Sequence, residues 1–211
     1  MNKMLTKGKF IVFEGIDGSG KSTQVQLLAK KFHEQGYRVH VTCEPTRYDL
    51  GKLIREVFTG KRILDQRTVA ALFVADRLEH LLNKEYGVLQ YLDRGYIVIS
   101  DRFYLSSFAY QAAFAPLEWL IKANGLAMEL ITPDLTIYLD ADPEVSIARI
   151  KEGRGEAEMY ETIDQLKAIK ERYTELLKRF ESKENIYSLV ANDSVYDIAD
   201  RIWKKAFTVV L

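Results

Sequence analysis

The sequence predicts an open α/β fold built on a parallel sheet. Three observations point there. Short apolar, β-branched runs alternate with longer amphipathic helical patterns from end to end, an order that calls for a parallel sheet covered on both faces. One of those runs, Phe10–Phe13, leads directly into a glycine-rich turn at Gly15–Ser22 and then into a helical pattern. Charged residues also follow the apolar runs closely, at Glu44, Asp101 and Arg102. In open α/β sheets ligands sit at the carboxyl ends of the strands.

The turn fits G-x-x-x-x-G-K-[ST], with Gly15, Ile16, Asp17, Gly18, Ser19, Gly20, Lys21, Ser22 and then Thr23. Glycines let successive backbone N–H groups point inward as an anion nest. The helix that starts near Lys21 adds the positive end of its dipole. Lys21 can reach the β- and γ-phosphates, and the Ser22 hydroxyl suits a Mg²⁺ ligand. Strand, turn and helix in this order predict a nucleoside triphosphate site. They do not fix its reaction.

The remaining elements follow in order. Gly36 suits a helix C-cap. Tyr37–Cys43 alternates like a strand and ends in Glu44-Pro45. Leu50–Phe58 and Asp65–Asn83 read as helices, with a helical continuation at Val88–Leu92. Tyr96–Ser100 is a strand, followed at once by Asp101-Arg102. Leu105–Ala113 and Leu117–Ile131 read as helices. Leu135–Leu139 is a strand, and Pro143 opens the next helix. Residues 151–160 are polar and hold two glycines. A charged amphipathic helix over Asp164–Phe180, a strand over Ile186–Val190 and a helix over Val195–Phe207 close the chain.

The 211 residues are 47% hydrophobic, enough for one domain with a good core. Lys+Arg and Asp+Glu both number 30, so no basic excess points to nucleic acid or an anionic membrane. With Cys43 as the lone cysteine, no internal disulfide can form. No apolar run has the length of a membrane span, and MNKMLTKGKF lacks a secretory h-region. A cytoplasmic protein is the expectation.

Three further clusters carry chemistry. Asp101 can orient Mg²⁺ near the phosphate loop, and Arg102 offers a fork for a phosphate. An ordinary strand-end ion pair would read the same way. Phe73 and Arg77 lie four apart on one helix face and could grip a base. Spacing alone favours a core phenylalanine and a solvated arginine. Ser106, Ser107, Tyr110 and Gln111 supply donors and acceptors of the kind that sugar and base edges need.

Taken together these stretches resemble the thymidylate kinase family. The phosphate loop resembles its FEGxDGxGKST, and Glu44-Pro45 its EP pair. Leu72–Arg77 is similar to its F-x-x-x-R helix. Asp101–Gln111 is close to its DRY-x-x-SS-x-AYQ run, and Pro133–Asp140 matches PDLTIYLD. The resemblance implies a three-layer P-loop NTPase fold, a five-stranded parallel sheet with helices on both faces, and a short lid at about 151–160. It implies transfer of the ATP γ-phosphate to dTMP, giving dTDP, with Mg²⁺. It also implies roles. Lys21 and the loop amides hold phosphates, while Ser22 and Asp101 hold or orient the metal. Asp17 lies near the dTMP sugar, with Arg102 and Arg55 on its phosphate. Phe73 stacks on thymine, with Arg77 and Gln111 at the base edge. Ser106 and Ser107 line that pocket, Tyr110 crowds a 2′-hydroxyl, and Arg149 lies against adenine.

Three departures stand out. Cys43 occupies a position where bacterial-type members carry arginine, with Arg47 the nearest substitute. Gly18 stands where one group carries its catalytic arginine. Glu158–Glu161 lacks the lid arginine of the other group, which leaves Arg154 as the lid candidate. Third, the lid is short. A deoxynucleoside kinase and a slow nucleotide-binding regulatory module remain the alternatives. The first usually carries Glu-Arg-Ser where this chain has Asp101–Phe103, and the second an N-K-x-D motif, which is absent. The apolar residues of Leu72–Leu82 and Leu105–Ala113, together with the family habit, predict a homodimer.

Overall fold

The computed structural model describes residues 7–154 and 162–211, with the backbone alone for 153 and 154. Five parallel strands form one sheet in the order β2-β3-β1-β4-β5. They are β1 (Lys9–Glu14), β2 (Val39–Cys43), β3 (Ile97–Asp101), β4 (Leu135–Asp140) and β5 (Ile186–Val190). The helices are α1 (Lys21–Glu34), α2 (Asp49–Phe58), α3 (Gln66–Leu82), α4 (Val88–Asp93), α5 (Tyr104–Gln111), α6 (Leu117–Ala123), α7 (Gly125–Leu130), α8 (Pro143–Arg154), α9 (Ile163–Phe180) and α10 (Val195–Val210).

The pleat of β1 divides the core. Ile11 and Phe13 point to one side, where Val25, Leu28 and Phe32 of α1 and Ile198 and Ile202 of α10 cover them. Phe10 and Val12 point to the other, against Phe108 of α5 and Tyr173 and Leu176 of α9. A central strand buried on both faces must be apolar throughout, which is why Phe10–Phe13 reads as an unbroken run.

Two expectations change. Leu117–Ile131 is not one helix, because it breaks at Asn124. There the side chain accepts from Arg77 and donates to the Leu120 carbonyl, 2.8 Å away. An asparagine serving tertiary partners ahead of Gly125 is a poor helix interior. Likewise, every residue of α5 is buried within the chain, so Leu105–Ala113 offers no free apolar face to a partner. The exposed large apolar residues nearby are Leu82, Phe114, Trp119 and Leu126.

The sheet register sets the site. Phe13 and Cys43 both lie opposite Asp101, so β1, β2 and β3 end within one residue of each other. Two backbone bonds extend that edge: Glu44 N–H donates to Asp101 O at 3.0 Å, and Arg102 N–H to Phe13 O at 2.8 Å. Three loops far apart in sequence are thereby stitched side by side.

Candidate active site

A cavity of about 780 Å³ opens at this edge. Its donor end is the phosphate loop. Gly20 caps α1 in the left-handed region at φ 95°. Gly18 has φ 75°, and a Cβ there would lie 2.3 Å from the Ser146 carbonyl oxygen of α8. No side chain fits at that position, so an arginine cannot stand there without moving α8. Lys21 is folded back into the loop. Its Nζ donates to Ile16 O at 2.7 Å, Gly15 O at 3.0 Å and Ser19 Oγ at 3.3 Å. Gly15 and Ile16 therefore act through their carbonyls and do not line the cavity. Burial, helped by the nearby Arg102 guanidinium, lowers the Lys21 ammonium to about 8 against the pull of Asp101, Asp17 and Glu14.

Ser22 Oγ donates to Asp101 Oδ2 at 2.6 Å across 79 residues of sequence. This pairs two hard oxygen donors beside the phosphate loop, the kind of set Mg²⁺ takes together with phosphate oxygens and water. Among the described residues no group of three His, Cys, Asp or Glu side chains could hold a metal by itself. The fit is thus to a metal that arrives with a nucleotide.

Arg102 stands between the two ends. It is the only non-glycine among the described residues with positive φ, at 77°, a conformation that costs about 1–3 kcal/mol and persists where its surroundings fix it. Its Nη1 donates to Gly15 O at 3.2 Å and Ser106 Oγ at 3.0 Å. Its Nη2 pairs with Asp17 and reaches the Tyr110 hydroxyl at 3.2 Å. Tyr110 donates to Asp17 Oδ2 at 2.8 Å. Burial pushes the Asp17 carboxyl up, but Arg102 and Lys21 outweigh it, and the group titrates below the usual range.

The acceptor end is built from side chains on α2, α3 and α5. Phe73 is packed among Ile54, Val57 and Val69 and also lines the cavity, so the core and pocket readings both hold. Gln111 is 2% exposed, lines the cavity, and has an Oε1 without a hydrogen-bond partner. Arg77 is not a solvated charge. It is 1% exposed and does not line the cavity; it donates to Glu44 Oε2 through Nε at 2.9 Å and Nη2 at 2.7 Å. It also donates to Ser107 Oγ at 2.9 Å and to Asn124. One of its five N–H groups remains unassigned.

Arg55 donates to the Pro45 and Thr46 carbonyls and approaches Cys43 Sγ to 3.8 Å. It lines the cavity beside Cys43, whereas Arg47 is exposed and does not. Arg149 also lines the cavity, near Gly20, with Nη2 3.3 Å from the Ala191 carbonyl oxygen. The side chain of Arg154, and most of the 151–160 segment, lie outside the described residues.

Sequence reasoning missed the layer beneath the cavity. His80 Nδ1 donates to Glu44 Oε1 at 3.0 Å, and its Nε2 lies 2.7 Å from Thr42 Oγ1. Asp76 accepts from the Thr46 backbone N–H at 2.7 Å. Glu14, read only as the end of a strand, is fully buried and accepts from the N–H groups of Phe103 and Ser106. His80 could have been found from its place one turn beyond Arg77. Glu14 carries no local signal of its kind.

A phosphate loop that shares one cavity with a second, side-chain-built pocket defines a P-loop phosphotransferase. The comparisons narrow this. The family model described as thymidylate kinase matches residues 13–202. A probable thymidylate kinase of Pyrococcus abyssi is 38% identical over 197 residues, covering 90% of this chain and 93% of the relative. One from Thermococcus onnurineus is 42% identical over 198 residues, covering 89% and 93%. A thymidylate kinase of Caldicellulosiruptor saccharolyticus is 38% identical over 202 residues, covering 94% and 95%. The chain belongs to the thymidylate kinase family.

Proposed function

We propose that this protein phosphorylates dTMP to dTDP with ATP, a step toward dTTP, and that each half of the cavity binds one nucleotide. The observation that carries the reading is the orphaned Gln111 oxygen in a pocket walled by Phe73. A buried acceptor without a donor invites one from the ligand, and thymine presents N3–H. Cytosine presents an acceptor there and meets the Gln111 oxygen unfavourably unless the amide turns to present Nε2. Phe73 provides the stacking face, and the remaining Arg77 N–H suits the thymine O4 once the guanidinium, buried behind the cavity wall in the free protein, turns toward the base. Ser107 helps hold Arg77, and Ser106 shares the wall. Tyr110 and Asp17 lie where a ribose would meet them, Tyr110 excluding a 2′-hydroxyl.

The reaction asks for alignment and charge neutralisation more than proton transfer. An oxygen of the dTMP phosphate forms a bond to the γ-phosphorus while the β–γ bridging bond breaks and ADP departs. The attacking phosphate is already anionic, so no general base is needed. Lys21 and the loop amides hold the donor phosphates, and Arg149 lies against adenine. Arg102 and Arg55 hold the acceptor phosphate, with Arg102 released from Asp17. Ser22 and Asp101 would hold Mg²⁺, which would supply electrostatic stabilisation of the phosphate charge. Arg154 of a lid at about 151–160 is the proposed further cation, since packing at Gly18 leaves no room for one in the loop. The protein works as one domain, a cytoplasmic homodimer. No helix among the described residues is long and apolar enough to cross a membrane.

A coupled ADP-release assay tests this with Mg-ATP and dTMP, dUMP, dCMP, dGMP, AMP, UMP or thymidine as acceptor. The expected result is a strong preference for dTMP, with partial dUMP turnover, because the thymine methyl contributes only about 1 kcal/mol. Turnover of thymidine without dTMP would indicate a nucleoside kinase. ATP binding without any transfer would indicate a regulatory module.

A further inference from the structure

The buried cluster around Glu14 has no part in the reaction described so far. Glu14 is the last residue of β1 and is fully buried. Its Oε1 accepts from Phe103 N–H at 3.0 Å and Ser106 N–H at 3.2 Å. It thereby caps α5, whose own N-cap residue, Phe103, has no side chain to offer. On the other carboxyl oxygen two hydroxyls meet. Ser106 Oγ bonds to Oε2, the Tyr173 hydroxyl lies 2.9 Å from Oε2, and Ser106 Oγ and Tyr173 lie 2.8 Å apart. Tyr173 comes from the middle of α9 and is fully buried. Beyond the triangle, Ser106 Oγ accepts from Arg102 Nη1.

The two ends of the Arg102 guanidinium therefore face different surroundings. Nη1 is anchored on Ser106 and the Gly15 carbonyl. Nη2 is held by Asp17 and Tyr110, which line the cavity as Ser106 does, whereas the Gly15 carbonyl does not. A phosphate entering the cavity can take Nη2 from Asp17 while Nη1 stays on the Gly15 carbonyl and on a Ser106 hydroxyl tied to Glu14 and Tyr173.

We propose that Tyr173 is a positioning residue for the acceptor phosphate, locking through Glu14 the Ser106 hydroxyl on which the fixed end of Arg102 rests. It does not touch substrate. This inference rests on the reading that Arg102 binds the acceptor phosphate. It assigns α9 a part in acceptor binding that none of its own side chains contributes from the cavity wall.

Tyr173→Phe removes one hydroxyl and leaves the ring packed on Tyr138, 5.1 Å away between centroids. The expected result is a fall of about tenfold in kcat/KM for dTMP, with KM for ATP unchanged within about twofold. Ser106→Ala should cause a similar fall. The double variant should be no worse than Ser106→Ala alone, because both act on one unit. Tyr173→Phe with unaltered dTMP kinetics overturns the proposal. So do equal losses toward ATP and dTMP accompanied by a lowered Tm, or additive effects in the double variant. A wild-type protein inactive on dTMP sinks the functional reading and this inference together. An active wild type with an indifferent Tyr173→Phe sinks this inference alone.

Discussion

The two ends of the cavity are built on different principles. The donor end is one contiguous stretch, Gly15 to Ser22, and works mainly through backbone. Its N–H groups, its carbonyls on Lys21 and the dipole of α1 all come from local geometry. The acceptor end has no such stretch. It gathers Glu44, Phe73, Arg77, Ser107, Gln111 and Asn124 from four segments and joins Glu44, Arg77, Ser107 and Asn124 through buried side-chain bonds. A backbone site is fixed by a few residue types at fixed spacing. A side-chain site is fixed by a network in which each member needs its partners.

If that contrast holds, damage should separate cleanly between the halves. The largest effect is expected from Lys21→Ala, which removes the donor-side cation. Activity should fall about 10²–10³-fold, with dTMP binding by calorimetry intact. Loss of dTMP binding would mean the halves are not independent.

Arg77→Ala should strike stability first. It leaves Glu44, 3% exposed, with the His80 ring N–H as its remaining side-chain partner. Breaking a buried ion pair costs about 3–5 kcal/mol, and for a chain of this size each kcal/mol lowers Tm by about 2–4 °C. Thermal denaturation checks this; a shift of a degree or two would show that Arg77 is dispensable to the network.

Gln111→Ala should lower kcat/KM for dTMP about 10–100-fold while KM for ATP and Tm stay close to wild type. Equal losses toward both nucleotides would blur the boundary between the two halves.

The smallest effect is on the donor side and is set by pH. Burial, with Arg102, brings Lys21 down to about 8 in the free protein. Below that value its ammonium is charged and attracts phosphate. Above it the amine is neutral, and binding must take up a proton. KM for ATP should therefore rise from about pH 8 upward, by at most about tenfold per pH unit, while dTMP affinity follows no such trend. A flat ATP profile to pH 9.5 would show that Lys21 keeps its proton.

The same contrast explains what could be read from the sequence. The strands, their order of appearance and the phosphate loop were legible because periodicity and glycine spacing are local. Phe73 was ambiguous by spacing alone, and the structure shows why: one face is core and the other is pocket wall. Arg77 reads as a surface charge in isolation, since its partners Glu44 and Asn124 lie 33 and 47 residues away. The break at Asn124 was invisible for the same reason. Glu14 was passed over because its four donors come from Phe103, α5 and α9, far away in sequence, and Leu105–Ala113 looked like a partner face because apolar pattern does not say which surface it meets.

The most direct test of a preassembled acceptor half is calorimetric titration of dTMP into the nucleotide-free protein. Saturable binding at one site per chain, at least tenfold tighter than dCMP, is the expected result. No binding until ATP is present, or equal affinity for dTMP and dCMP, would contradict an acceptor pocket already built by Glu44, Arg77 and Gln111.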